Sequence, residues 1–285
     1  MKTLLRPAFI VNYTDNRQPV NVVFVVLLYS FVMITGLKKY GVHVLAVAVA
    51  FIFWIADGGC TKKSSGSMAP SINYQVGTTT IDTSTKRLLA LGDSYTIGQI
   101  VPEADRFANQ AIDNLIATGI KIKYPASIIA QIGWTTQNLL DGIEMANPKQ
   151  IGPYDLVTLL IGVNNQYKQR DTAEYRVQFL QCLNKAIAYS GNRVNRVFVL
   201  SIPDYGATAF GSSNAAQIAI EIDYFNVINK EVCQQMGTDY TDITPSTRLM
   251  STDPSLVAID GLHPSGKEYA KWASMLTPKM QRQVK

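Results

Sequence analysis

The sequence predicts an α/β domain in which a parallel sheet carries helices on both faces. Three observations lead there. Short apolar runs alternate with amphipathic stretches of helical period from Arg87 onward. The run at 155–161, DLVTLLI, is continuously apolar, as a strand covered on both faces must be. The polar, chemistry-bearing residues fall just after apolar runs, where parallel sheets of this class place their sites.

The elements follow in order. Residues 87–92, RLLALG, read as a strand closed by glycine, and 105–119 as a helix through Phe107, Ala111, Leu115 and Ile116. Residues 122–132 read as a strand with Pro125 near its start, and 135–146 as a helix capped by Thr135 or Thr136. After the 155–161 strand comes a long helix over 171–190, then a strand over 195–202 stopped by Pro203. A helix over 214–236, a weak strand over 239–243 and a terminal helix beginning at Pro264 complete the pattern.

The chain has 285 residues, 47% hydrophobic and 16% charged, which excludes a disordered protein. Its net charge of +5 is concentrated at the start: residues 1–59 hold five basic and two acidic groups, leaving the remainder at only +2. A body so close to neutral gives no electrostatic footing for nucleic acid. Cys182 and Cys233 lie in partly apolar helical stretches and read as small buried hydrophobes, or as an oxidised pair in an envelope compartment.

The first 59 residues read as a signal or membrane segment. Residues 43–55, HVLAVAVAFIFWI, follow Lys38 and Lys39 and precede Gly58, Gly59 and Cys60. Basic flank, short apolar core and small-residue end make an export signal. A cysteine there resembles the lipidation site of bacterial lipoproteins, although Asp57 stands where that pattern has an aliphatic residue. The expectation is a protein of the bacterial cell envelope, lipid-anchored at Cys60 and facing the periplasm or exterior. A second apolar stretch at 20–36 is either one arm of a membrane hairpin or lies upstream of the true start, Met33. Residues 60–86, rich in Ser and Thr, have linker composition, so the globular domain is expected over 87–285.

Four short segments carry the chemistry. Ser94 stands just past the first strand; alone it reads as a helix cap, and neither a phosphate-binding loop nor the G-x-S-x-G elbow is present. Gly133 follows the second strand as a loop glycine able to offer its N–H to a ligand. Asn164, after the third, reads equally as a turn residue or as an amide donor to an anion. His263 is the only histidine outside the apolar signal core, so a multi-histidine zinc site is excluded and any imidazole chemistry must use it. Asp260, three residues earlier, can fix its tautomer. Together these groups suit acyl transfer: Ser94 as nucleophile, His263 as base, Asp260 as its partner, and the Ser94 N–H, Gly133 N–H and Asn164 amide as oxyanion donors.

The ordered set Gly92-Asp93-Ser94, Gly133, Gly162-Val163-Asn164-Asn165 and Asp260 to His263 resembles the SGNH/GDSL hydrolases over roughly residues 87–280. The resemblance implies a three-layer α/β/α flavodoxin-like fold with a mainly five-stranded parallel sheet. It also implies no metal and no cofactor, and acyl esters as substrates. Asn165 departs from the aspartate usual at its position. The absence of a long apolar insertion leans the expectation toward short-chain acyl or acetylated carbohydrate substrates, with Trp134 and Tyr167 either stacking on a sugar or packing. A lysophospholipase or thioesterase on the same triad, a transferase, and a non-catalytic binding lipoprotein are the alternatives.

Overall fold

The computed structural model describes residues 85–146 and 153–285. The expected signal segment, the Met33 start, the Cys60 lipidation site and nearly all of the linker lie outside these residues. No helix among the described residues is long and apolar enough to cross a membrane.

Five strands form one parallel sheet: β1 (Leu88–Gly92), β2 (Ser127–Ala130), β3 (Leu156–Leu160), β4 (Val197–Leu200) and β5 (Asp239–Thr241), in the order β2-β1-β3-β4-β5. This is the flavodoxin-like order, in which the chain reverses direction between β1 and β3. The helices are α1 (Ser94–Ile97), α2 (Phe107–Ala117), α3 (Thr136–Ala146), α4 (Val163–Tyr167), α5 (Thr172–Tyr189), α6 (Ala215–Met236), α7 (Thr244–Arg248) and α8 (Gly266–Val284). The crossovers put α2 beside α8 on one face and α3, α5 and α6 on the other. Every residue of β3 is buried, as are Leu88 to Leu91 of β1. Their continuous apolar runs are what a sheet sandwiched between two helical layers requires.

Three sequence-based expectations shift. The second strand begins at Ser127, not at 122. Pro125 has no N–H for a ladder, and the Ala126 N–H donates to Asn109 Oδ1 of α2 (2.9 Å) instead. Ile122 makes only an isolated parallel bridge with Lys86. The terminal helix begins at Gly266, because Pro264 is held in an antiparallel bridge with Val257 and stands before the N-cap, Ser265. The short helices α1, α4 and α7, of four or five residues each, carry too little periodicity to register in a sequence pattern. Cys182 and Cys233 are buried and unpaired, and burial pushes both thiols up, as small core hydrophobes require.

The register positions the site. Gly92 lies opposite Ala130 of β2 and Leu160 of β3, so three strands end level with one another. The side chains that follow them emerge along one edge. Gly92 itself sits where β1 turns into α1: a Cβ there would lie 2.3 Å from the Leu160 carbonyl oxygen and 2.1 Å from Thr96 Oγ1. The first of these neighbours is backbone and cannot rotate away. We therefore expect Gly92→Ala to lower the unfolding free energy by about 3 kcal/mol, the upper end of the usual cost of overpacking. A urea denaturation series checks this, and an unchanged midpoint would contradict the close approach of β1 and β3.

Candidate active site

At the end of β1, Asp93 takes the capping role that Ser94 alone would have suggested. Its Oδ1 accepts the Tyr95 N–H (3.0 Å) and starts α1. Ser94 then occupies the first helical position with its hydroxyl unused by the cap. Asp93 is fully buried, and desolvation raises its pKa to about 7 despite that hydrogen bond.

The partner of Ser94 comes from the other end of the domain. The segment before α8 folds back on itself through Ala258 N–H to His263 O (2.7 Å) and Gly261 N–H to Ala258 O (3.0 Å). Gly261 has φ +71°, a conformation that suits glycine. Within this turn Asp260 Oδ1 accepts the backbone N–H groups of Leu262 (3.1 Å) and His263 (3.0 Å). Its Oδ2 lies 2.6 Å from His263 Nδ1. On the opposite side of the ring, His263 Nε2 is 3.0 Å from Ser94 Oγ. Tyr95 packs against the imidazole at 5.1 Å between ring centroids, and His263 is 5% exposed, so the ring is held on both edges and one face.

The electrostatics suit this order. Burial alone would raise the Asp260 carboxyl, but hydrogen bonds from the His263 ring and from two backbone N–H groups outweigh it and hold it below the usual carboxylate range. An ionised Asp260 fixes the proton on Nδ1 and leaves the Nε2 lone pair facing the Ser94 hydroxyl. The arrangement can accept the serine proton as the oxygen forms a bond to carbon.

A small cavity of about 140 Å³ opens over these groups, lined by Ser94, Asn164, Tyr167, Tyr205, Phe210 and His263 among others. Asn164 thus reaches the same space as the serine. One N–H of its amide donates to the Trp134 carbonyl (3.0 Å), leaving the second for a ligand. Gly133 does not line the cavity. It stands in the adjoining loop with φ +75°, its carbonyl accepting from Lys168 Nζ (2.8 Å), and is joined to the site through Trp134 and Asn164. Trp134 packs across Gly142 of α3, where an added Cβ would meet its ring at 2.0 Å, so of the two aromatics singled out in the sequence only Tyr167 lines the cavity.

Asn165, where aspartate was expected, is buried and binds the start of α3 twice. Its Oδ1 accepts the Thr136 N–H (3.0 Å) and its Nδ2 donates to Thr136 Oγ1 (2.8 Å), which donates on to Gln178 Oε1 (2.6 Å). An amide serves this neutral chain without leaving a charge in the core.

Sequence reasoning missed Tyr95, Tyr205, Phe210 and Leu262. Tyr167, Tyr205 and Phe210 form a triangle with ring centroids 6.0–6.1 Å apart. Tyr205 and Phe210 lie in the loop after β4, where no periodicity marks a wall-forming residue; the Phe210 N–H bond to Gly261 O (3.2 Å) ties that loop to the histidine turn.

Several solved structures share this fold. A lipase from a goat rumen metagenome superposes with a TM-score of 0.57 at 17% identity, covering 70% of this chain and all of its own. The lipase/acylhydrolase from Enterococcus faecalis gives 0.53 at 17%, covering 70% and 98%. An acetylxylan esterase from Geobacillus stearothermophilus gives 0.51 at 18%, covering 70% and 94%. At such identities the likeness is one of fold. No curated protein matches the sequence. The GDSL-like Lipase/Acylhydrolase family, however, matches residues 90–271, more than half of the chain and all of the segments just described. With that match over this fold, the chain belongs to the GDSL-like lipase/acylhydrolase family and is a hydrolase of ester bonds.

Proposed function

We propose that the protein is a serine esterase acting through Ser94, His263 and Asp260 on short-chain acyl esters, acetylated carbohydrates foremost. The observation that carries this reading is the continuous line Ser94 Oγ to His263 Nε2 (3.0 Å) and His263 Nδ1 to Asp260 Oδ2 (2.6 Å), built from segments 169 residues apart. A merely structural Asp–His turn has no need of the serine.

In the reaction, Ser94 Oγ forms a bond to the acyl carbon while its proton passes to Nε2. The carbonyl electrons move onto oxygen, facing the free N–H of Asn164 and the backbone N–H of Ser94, while Gly133, outside the cavity, supports the loop whose Trp134 carbonyl holds Asn164. As the tetrahedral species collapses, the carbon–oxygen bond to the alcohol breaks and the departing oxygen takes the proton from Nε2. Water then repeats the sequence on the acyl-enzyme and releases the acid. Asp260 stays ionised throughout and stabilises the imidazolium between the two proton transfers.

The size of the cavity supports a small acyl group. Its 140 Å³ equals a few water volumes of about 30 Å³ each, room for an acyl chain of roughly two to four carbons. A long chain would have to displace the aromatic triangle or lie over it in solvent. The envelope location and the tether at Cys60 are part of the proposal and are supported by the N-terminal sequence.

Ser94→Ala and His263→Ala should each lower kcat/KM on p-nitrophenyl acetate by more than about 10³-fold with unchanged far-UV circular dichroism, and Asp260→Asn by less. Wild-type activity in His263→Ala would refute the mechanism. On p-nitrophenyl esters of increasing chain length, kcat/KM should be highest for acetate to butyrate. A maximum at palmitate would support the lysophospholipase or thioesterase alternative.

A further inference from the structure

Beyond the triad, the helix α4 borders a second cavity of about 310 Å³. Tyr167 of α4 lines the triad cavity, while the preceding residue, Gln166, lines this one, so the two spaces adjoin across a single short helix. Its wall includes Gln169, Arg170 and, from α6, Ile220, Glu221 and Tyr224.

The polar chemistry centres on Glu221. Its Oε1 accepts from Gln217 Nε2 (2.7 Å), and its Oε2 accepts from Gln166 Nε2 (2.6 Å) and Gln169 Nε2 (3.1 Å). The Gln217, Gln166 and Gln169 amides together hold the carboxyl below its usual range, so it stays charged. A carboxylate has about four acceptor positions. Three are occupied, and one remains for a ligand. Neither Glu221 nor Arg170 takes part in an ion pair among the described residues, although both line the cavity. Beside this polar group, Ile220 and Tyr224 lie one helical turn apart and are 65% and 57% exposed.

We propose that this cavity is a sugar subsite, taking a neutral pyranose ring of the alcohol part of the ester whose acyl group enters the triad cavity. A ring hydroxyl donates to the free position on Glu221 and another accepts from the Arg170 guanidinium. The apolar C–H face lies on Tyr224 and Ile220. With one carboxylate and one guanidinium the cavity wall carries no net charge, which suits a neutral ligand. Tyr167, 54% exposed and lining the triad cavity next in sequence to Gln166, is the surface over which the chain of sugar rings would pass. The proposal rests on the esterase reading only for the identity of the acyl site.

The test separates the two. Calorimetric titration of full-chain Ser94→Ala with xylotriose, cellotriose and chitotriose measures sugar binding without turnover. At least one of them should bind, and adding Tyr224→Ala or Glu221→Gln should weaken that Kd by about tenfold or more, the worth of one good contact. Failure of all three trisaccharides to bind, or binding that neither substitution weakens, would overturn the subsite, even if wild type hydrolyses p-nitrophenyl acetate. Binding lost on Tyr224→Ala, together with a wild-type protein that does not hydrolyse p-nitrophenyl acetate, would leave the subsite standing and sink the esterase reading.

Discussion

Ser94 and His263 belong to opposite ends of the domain, and one hydrogen bond of 3.0 Å joins them. Its geometry depends on two local constructions. At one end, β1 stops level with β2 and β3, and Asp93 caps the following turn so that Ser94 begins a helix with its hydroxyl free. At the other, Asp260 binds the backbone of its own turn with one oxygen and the imidazole with the other. The same carboxylate therefore shapes the loop and orients the ring. A loop that shifted by an ångström would separate the two halves, because proton transfer needs heavy atoms within hydrogen-bond reach.

The sheet edge does the rest of the assembly. Asn164 and the Gly133 loop follow β3 and β2, the neighbours of β1 on either side, and the Asn164 amide links them by donating to Trp134 O. Asn165 ties the same pair of loops at a deeper level through Thr136. Adjacent asparagines thus face different ways: one toward the cavity, one into a buried chain of amides and hydroxyls. That division explains how the aspartate usual at position 165 is replaced without disturbing the donor at 164.

Much of this was legible in the sequence, for identifiable reasons. Fully buried parallel strands must be continuously apolar, so β1, β3 and β4 stand out, and a lone usable histidine narrows the acid–base chemistry to one residue. Where local hydrogen bonding competes with the ladder, the pattern misleads: Ala126 gives its N–H to Asn109, and Pro264 pairs with Val257 before the helix starts. Ser94 read as a cap because a serine just past a strand commonly caps the next helix, and only the Asp93 bond shows that its neighbour takes that role instead. The aromatic triangle of Tyr167, Tyr205 and Phe210 was invisible as a unit, since its members come from the end of α4 and the loop after β4, which meet only in the folded chain.

The central claim is that the His263–Asp260 pair makes Ser94 a nucleophile. Treatment of the folded protein with a fluorophosphonate, followed by peptide mass spectrometry, tests it most directly. The account predicts one covalent adduct, on Ser94, that is lost on denaturation before treatment and in His263→Ala. A folded protein that takes no label at Ser94, or one labelled equally well without His263, would contradict it.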